Sequence, residues 1–126
     1  MSTNFPVLSV NDVRIHYAID AGVVKAVENV SFNLNKGERL ALVGESGSGK
    51  STLAMSMMGL TSPPGKIVSG SILIGNKDLQ KLDDKEVRKT RLAEIALIPQ
   101  GAMNSLNPVI RIEEQIIDGL QDHGIK

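Results

Sequence analysis

The chain has 126 residues, of which 41% are hydrophobic and 22% charged, and its acidic and basic residues balance to a net charge of zero. Such a composition is ordinary for one folded domain or part of one, and the lack of a basic excess argues against a nucleic-acid-binding protein. There is no cysteine, which excludes disulfides, zinc–thiolate sites and thiol catalysis, and aromatic residues are too few for a base-stacking platform.

The sequence contains no candidate transmembrane segment and no signal peptide. Its longest apolar runs, such as residues 95–98, are far shorter than the roughly 20 residues that a membrane-spanning helix needs. Residues 1–6 lack a positively charged start followed by an apolar stretch. We therefore expect a cytosolic address.

The first part of the chain has the pattern of a β structure. Residues 7–10 and 13–19 read as extended segments, with a polar break at Asn11-Asp12 between them. Residues 20–22 form a turn signal, and residues 30–35 alternate between apolar and polar side chains. This pattern predicts an antiparallel meander.

The pattern changes in the middle of the chain. Residues 40–43 form a short unbroken apolar run, typical of a strand buried on both faces in a parallel sheet. A glycine-rich stretch, residues 44–49, follows directly. A helical pattern begins at Lys50, and Gly59 is expected to end it.

Further strands and helices are predicted after residue 65. Residues 67–74 suggest another strand, and Asp83 with Glu86 forms the capping box of a helix that should run to about Leu92. Residues 95–98 are a further apolar strand, which Pro99 stops. A helix is then predicted from Ile112 to a weak end near Gly124.

Several conspicuous residues favour structural roles. Met55, Met57 and Met58 are expected in the core. Basic and acidic residues are interleaved around the second helix, which predicts a solvated helix face. The basic residues of this face are Lys81, Lys85, Arg88, Lys89 and Arg91. His16 and His123 have no second ligand at metal-binding spacing.

Residues 44–51 fit the phosphate-loop pattern G-x-x-x-x-G-K-[ST]. Glycines let successive backbone N–H groups turn toward a polyphosphate, and the helix that follows adds the positive end of its dipole. Lys50 would bring a full charge to the β- and γ-phosphates, and Ser51 would offer a hydroxyl to Mg²⁺. We expect ATP and Mg²⁺ as cofactors. The alternative interpretation of these residues is a flexible Gly/Ser linker. The predicted binding residues are Gly44, Glu45, Ser46, Gly47, Ser48, Gly49, Lys50, Ser51 and Thr52.

The sequence around Gln100 carries a family resemblance. The apolar run that ends in Pro99-Gln100 resembles the Q-loop of ABC-type ATPases. The string Asn-Ser-Leu-Asn-Pro at residues 104–108 is similar to the oligopeptide/dipeptide (and nickel) importer group, as is the phosphate loop Gly-Glu-Ser-Gly-Ser-Gly-Lys-Ser. The pattern of residues 24–38 fits the same group. The resemblance covers about residues 7–120.

This resemblance implies an α/β fold, namely an incomplete P-loop NTPase domain of the ABC type. Residues 1–126 would be the N-terminal portion of a single ATP-binding domain. Within it, about residues 7–38 would form the antiparallel β part, residues 39–100 the P-loop core with a partial RecA-like sheet, and residues 101–126 the start of the helical subdomain.

Two side chains gain roles from the resemblance, and the segment after Gln100 would face the coupling helix of a membrane permease. Tyr17 matches the A-loop aromatic residue that stacks on adenine; its alternative role is packing within the meander. Gln100 matches the residue that reaches Mg²⁺ and the attacking water, beside Ser51 as a metal ligand; alternatively it is a surface glutamine. Gln100 and Lys50 are the predicted catalytic residues.

Other motifs of the family do not occur in this sequence. These are the Leu-Ser-Gly-Gly-Gln signature, the apolar strand that ends in Asp-Glu (Walker B), and the switch histidine. Complete members are more than twice as long, so the chain resembles the front part of such a subunit. We expect ATP binding with negligible hydrolysis. We also expect residues 40–43 to present an unpaired apolar edge that favours association.

The resemblance implies an ATPase subunit that energises an ABC importer of peptides or similar small solutes. Its partners would be membrane permease subunits, a second ATP-binding subunit and, indirectly, an extracytoplasmic substrate-binding protein, with no nucleic acid. The subunit would lie peripherally on the cytoplasmic face of the membrane. The alternatives are a non-catalytic nucleotide-binding or regulatory module, and a soluble P-loop kinase or GTPase. The Q-loop string and the lack of a base-reading motif argue against the last of these.

Overall fold

A four-stranded antiparallel sheet dominates the computed structural model, which describes residues 5–125 apart from the side chain of Met103. The elements in chain order are β1 (Leu8–Ile19), β2 (Gly22–Leu34), α1 (Lys50–Met57), β3 (Gly65–Ile74), β4 (Lys77–Asp78), α2 (Asp84–Thr90), a 3₁₀ helix (Ala102–Asn104) and α3 (Ile112–Asp122). The strand order is β2-β1-β3-β4. The predicted antiparallel β part is therefore present, with β2 at one edge of the sheet.

The first strand is irregular where the sequence predicts a break. Val10 and Val13 are three positions apart, so a regular strand would point them to opposite faces of the sheet. Asp12 instead has a φ of 45°, and the pairing register with β2 shifts between the two valines. Both valines are consequently buried completely. The two predicted segments are thus one bulged strand, whose extra residue returns the apolar side chains to the core.

The hydrophobic core lies between one face of the sheet and α1. Ile15 of β1 and Ile72 of β3 are fully buried, and Leu53 of α1 belongs to the same cluster. Burying a leucine side chain stabilises a fold by about 1.5–3 kcal/mol. This packing holds the N-terminal end of α1, and the glycine-rich loop before it, beside the edge strand β2.

Helix α1 begins and ends where the sequence predicts. Its first residue, Lys50, directly follows Gly49. At the other end, Gly59 has a φ of +62°. The N–H of Gly59 donates to the carbonyl of Ser56 at 3.0 Å, and the N–H of Leu60 donates to that of Met55 at 2.9 Å. This double hydrogen bond is the Schellman motif, which glycine favours.

Helix α2 confirms the predicted capping box. The Asp83 carboxylate accepts from the N–H of Glu86 at 2.7 Å, and the Glu86 carboxylate accepts from the N–H of Asp83 at 3.1 Å. The helix ends at Thr90, slightly before the predicted end near Leu92. Leu92 has a φ of +65°, which a continuing helix cannot accommodate.

The predicted strands at residues 40–43 and 95–98 are wrong. Residues 38–45 have no regular structure, and Val43 is 86% exposed. In the second run only Ile95 pairs, through an isolated parallel bridge to Arg91, and Ile98 is 88% exposed. An apolar run becomes a strand only when a neighbour takes its backbone hydrogen bonds, and within residues 5–125 neither run has such a neighbour.

Helix α3 confirms the predicted helix near the end of the chain, and none of its side chains is buried. Its apolar side chains follow helical spacing and form one exposed stripe. This stripe consists of Ile112, Ile116, Ile117 and Leu120. In the part of the chain that the structure describes, no helix combines the length and apolar character required for a membrane span.

Candidate nucleotide-binding site

The glycine-rich loop turns directly into the first turn of α1. Gly47 and Gly49 have φ values of +79° and +89°, a region that side-chain-bearing residues rarely occupy. The N–H of Leu53 donates to the carbonyl of Gly49 at 2.9 Å, so the helical hydrogen bonding starts at the loop itself. The loop therefore delivers its backbone to the positive end of the α1 dipole.

Gly49 is in close contact with the edge strand β2. A Cβ atom at this position would lie 2.2 Å from the carbonyl oxygen of Ala26 and 3.4 Å from a methyl group of Val27. Both the backbone conformation and the available space therefore require glycine at residue 49. This contact sets the distance between the loop and β2.

The Lys50 side chain folds back over the loop. Its Nζ donates to the carbonyl of Gly44 at 2.8 Å, to the carbonyl of Glu45, and to the hydroxyl of Ser48 at 3.1 Å. The ammonium is thus held against the loop by three oxygen atoms. A phosphate oxygen carries more negative charge than a carbonyl, so it can replace these acceptors.

A cavity of about 390 Å³ opens between the loop and β2. It lies within the usual size range of small-molecule sites, about 300–1,000 Å³. The lining residues are Val24, Lys25, Ala26, Gly47, Ser48, Gly49, Lys50, Ser51 and Thr52. Most of the predicted binding residues therefore border one cavity at the N-terminus of α1.

Three residues of β2 line this cavity but were missed in the sequence analysis. Val24, Lys25 and Ala26 belong to the edge strand on which the loop rests. The hairpin turn at residues 20–22 could have located them, because it places Val24 opposite Tyr17.

Tyr17 occupies a different position from the loop residues. Its half-buried side chain packs on the core cluster, and a Cβ at Gly65 would lie 2.6 Å from its ring. It is not among the residues that line the 390 Å³ cavity, whereas its cross-strand partner Val24 is. Its predicted contact with adenine stays a prediction.

Gln100 and Ser51 border a separate cavity of about 220 Å³. One side comes from α1 through Ser51, Ala54 and Met55, and the other from residues 97–100. A hydroxyl and an amide oxygen are hard ligands of the kind that Mg²⁺ prefers, and Mg²⁺ usually takes its remaining ligands from water and phosphate. The side-chain chemistry of this pair fits the predicted metal.

A cluster of charged and polar side chains lies on β1 and β2, near the glycine-rich loop. The side chain of His16 is hydrogen-bonded to Glu28, and Arg14 donates to Asn29 at 2.6 Å. The hydrogen bond from His16, together with the positive charges of Lys25 and Arg14, holds the pKa of Glu28 below its usual value. Glu28 therefore remains a carboxylate at neutral pH.

A larger cavity lies elsewhere. It has a volume of about 550 Å³ and lies between α3 and the turn after α2. Its walls include Leu92, Ile116 and Leu120, and no residue of the phosphate-loop motif. Volume alone does not identify the site; the ammonium of Lys50 and the N-terminus of α1 converge at the smaller cavity.

Residues 27–125 match the protein family described as ABC transporter. The chain belongs to this family. A dipeptide transport ATP-binding protein of Bacillus subtilis is 46% identical over 118 residues, which are 93% of this chain and 35% of that protein. An oligopeptide transport ATP-binding protein of the same organism is 44% identical over 92% of this chain and 33% of its own length. The chain thus spans about a third of the length of these relatives.

Solved structures place the fold in the ABC family as well. The dimeric structure of a bacterial ABC transporter cassette matches with a TM-score of 0.72 and 25% identity, over 92% of this chain and 47% of that one. A dimeric ATP-binding cassette bound to ADP and phosphate matches with a TM-score of 0.58 and 32% identity, over 65% of this chain and 34% of that one. The predicted fold class and the family resemblance are confirmed.

Proposed function

We propose that residues 44–52 bind the phosphates of ATP. The observation that carries this proposal is the position of the Lys50 ammonium, which is held by the carbonyls of Gly44 and Glu45 at the N-terminus of α1. A bound polyphosphate would accept hydrogen bonds from the ammonium and from backbone N–H groups at the end of the helix dipole. The proposed residues are Gly44, Glu45, Ser46, Gly47, Ser48, Gly49, Lys50, Ser51 and Thr52, with Tyr17 as the adenine-stacking residue.

Ser51 and Gln100 are proposed to hold Mg²⁺ with the nucleotide. The ion would neutralise negative charge on the bound phosphates. Support comes from the cavity that both residues line and from their oxygen ligands. Gln100 would also orient water toward the terminal phosphate, and Lys50 would stabilise charge on it.

The chain is proposed to be part of an ATP-binding subunit that energises the import of peptides or similar small solutes. The names of the dipeptide and oligopeptide transport relatives support this assignment. Its proposed partners are membrane permease subunits, a second ATP-binding subunit and an extracytoplasmic substrate-binding protein. Its proposed location is the cytoplasmic face of the membrane. Residues 7–38, 39–100 and 101–126 would be the β part, the P-loop core and the start of the helical subdomain.

Calorimetric titration with Mg²⁺–ATP tests the phosphate-binding proposal. The chain is compared with Lys50→Ala and with Lys85→Ala, which removes an exposed lysine on α2. We expect saturable binding that Lys50→Ala weakens by at least about tenfold, because removing a charged hydrogen-bond donor costs about 1.5–3 kcal/mol. Lys85→Ala should bind Mg²⁺–ATP with the affinity of the parent, which is the unsubstituted chain. Equal affinities of all three proteins would refute the role of Lys50.

A further inference from the structure

Arg91 joins the end of α2 to the end of α1. Its Nε donates to the carbonyl of Met58 at 2.8 Å, and its Nη2 donates to the carbonyl of Gly59 at 2.9 Å. The side chain is half-buried rather than solvated, so the prediction of a solvated basic face is wrong at this residue. Its neighbour Arg88 is exposed, as that prediction requires.

These two hydrogen bonds have a direct electrostatic reason. Met58 and Gly59 follow the last turn of α1. Carbonyl groups at this end of a helix lack helical hydrogen-bond partners, and the negative end of the helix dipole lies here. A guanidinium presents two parallel donors in a rigid fork, so it can bind two successive carbonyls at once. Lysine carries the same charge but cannot reproduce the fork.

The segment that Arg91 begins also reaches the other half of α1. A tight turn follows, in which the N–H of Leu92 donates to the carbonyl of Ile95 at 2.8 Å. The chain then continues to residues 97–100, which line the 220 Å³ cavity together with Ser51 and Ala54. Residues 91–100 are therefore hydrogen-bonded just beyond the C-terminal end of α1 and line one cavity with its first half.

We propose that Arg91 is a positioning residue for the Mg²⁺ site. By anchoring residues 91–100 to the C-terminal end of α1, it holds Gln100 opposite Ser51 near the N-terminal end. Arg91 thereby sets the part of the nucleotide affinity that depends on Mg²⁺. The phosphate loop precedes α1, at the end opposite to the carbonyls that Arg91 binds, so the Mg²⁺-independent part of the affinity should stay unchanged. The metal role of Arg91 rests on the proposed function, which supplies the nucleotide and its Mg²⁺, whereas the anchoring of residues 91–100 does not.

The first experiment needs no nucleotide. Because the chain has no cysteine, nitroxide labels can be placed at Ser62→Cys, just beyond α1, and at Ala102→Cys, just beyond Gln100. Both positions are exposed. Spin-echo distance measurements should give a narrow distribution in the parent and in Arg88→Met, and a broad one in Arg91→Met. An unchanged distribution in Arg91→Met would overturn the anchoring.

The second experiment measures ATP affinity with Mg²⁺ and with EDTA. We expect Arg91→Met to reduce the affinity gain from Mg²⁺ by about tenfold, a typical cost of losing a residue that orients metal ligands. Its affinity in EDTA should match that of the parent. Arg88→Met should keep the full gain, and Arg91→Lys should fall in between. If Arg91→Met proves unfolded by circular dichroism, Arg91→Lys supplies the comparison.

The outcomes separate the two proposals. If the parent does not bind ATP, the proposed phosphate binding by this chain is refuted and the metal role of Arg91 with it, whereas the label distances still decide the anchoring. If the parent binds ATP and Arg91→Met keeps the full Mg²⁺ gain, only the inference about Arg91 is overturned. An equal loss of affinity in Mg²⁺ and in EDTA would also overturn it, because that result indicates a general structural role.

Discussion

Replacing Gly49 by alanine tests how the phosphate loop is seated on β2. An alanine Cβ there would lie 2.2 Å from the carbonyl oxygen of Ala26, at a residue whose φ is +89°. Gly37 and Gly47 have similar φ values of +80° and +79°, but a Cβ at either would meet no atom within 4 Å. The three glycines therefore separate the cost of the backbone conformation from the cost of the steric contact.

The left-handed conformation costs an alanine about 1 kcal/mol, which is the loss in free energy of unfolding expected for Gly37→Ala and Gly47→Ala. The contact at Gly49 is with backbone, which cannot rotate away as a side chain can. Either the loop or β2 must therefore move, and overpacking of this kind costs about 2 kcal/mol more. We expect Gly49→Ala to lose about 3 kcal/mol in total.

Urea unfolding followed by circular dichroism measures these stabilities, and calorimetry with Mg²⁺–ATP measures the site. Gly49→Ala should lose nucleotide binding as well as stability, because a shift of the loop away from β2 opens the cavity between them. Gly37→Ala should keep its nucleotide affinity, since this glycine lies in a turn outside the cavity lining. Equal stability of Gly49→Ala and Gly37→Ala, with nucleotide affinity kept in both, would refute the steric reasoning.

The other predictions concern Tyr17, the α2 cap, pH dependence and turnover. If Tyr17 stacks on adenine, Tyr17→Leu weakens the binding of ATP but not of inorganic triphosphate; equal losses would indicate packing alone. Asp83→Ala should destabilise the chain by about 1 kcal/mol in urea unfolding, through loss of the cap; an unchanged midpoint would contradict this. The folded pKa of Glu28 is lowered, so the stability from its pairing with His16 is complete above the ordinary value of 4.5 and declines as the pH falls below it. Glu28→Gln should flatten this part of the pH profile, and an identical profile would count against the pairing. Phosphate release from ATP should be as slow in the parent as in Lys50→Ala; faster release that the substitution abolishes would contradict negligible turnover.

Local sequence signals predicted the helices well. The capping box at Asp83 and Glu86, the start of α1 after Gly49 and its end at Gly59 all depend on residues within a few positions of each other. Hydrogen bonds at helix ends are satisfied within the segment itself. Such features need no knowledge of the rest of the fold.

Long-range features were less predictable. The run at residues 40–43 has the composition of a buried strand, but composition does not show whether a pairing neighbour exists, and within residues 5–125 it has none. The bulge at Asp12 could have been inferred, because Val10 and Val13 cannot share a face without it. The contact from Arg91 to α1 joins residues more than 30 positions apart, and charge patterning alone suggested solvent exposure.

In the candidate site, too, local sequence signals were predictive and long-range contacts were not. The motif identified residues 44–52 directly, since the loop and the helix start are consecutive in the sequence. It did not identify Val24, Lys25 and Ala26, which reach the cavity only because β2 is the edge strand beside α1. The cavity that Gln100 shares with Ser51 likewise depends on the turn at residues 91–95.

An amide-resolved NMR titration of the ¹⁵N-labelled chain with Mg²⁺–ATP would locate the nucleotide directly. We predict that the largest shift changes occur at residues 44–52, with smaller changes at residues 24–26 on the opposite wall of the cavity. Residues of α3 should shift little. Shift changes confined to the cavity beside α3, or no saturable change at the loop amides, would contradict phosphate binding at the N-terminus of α1.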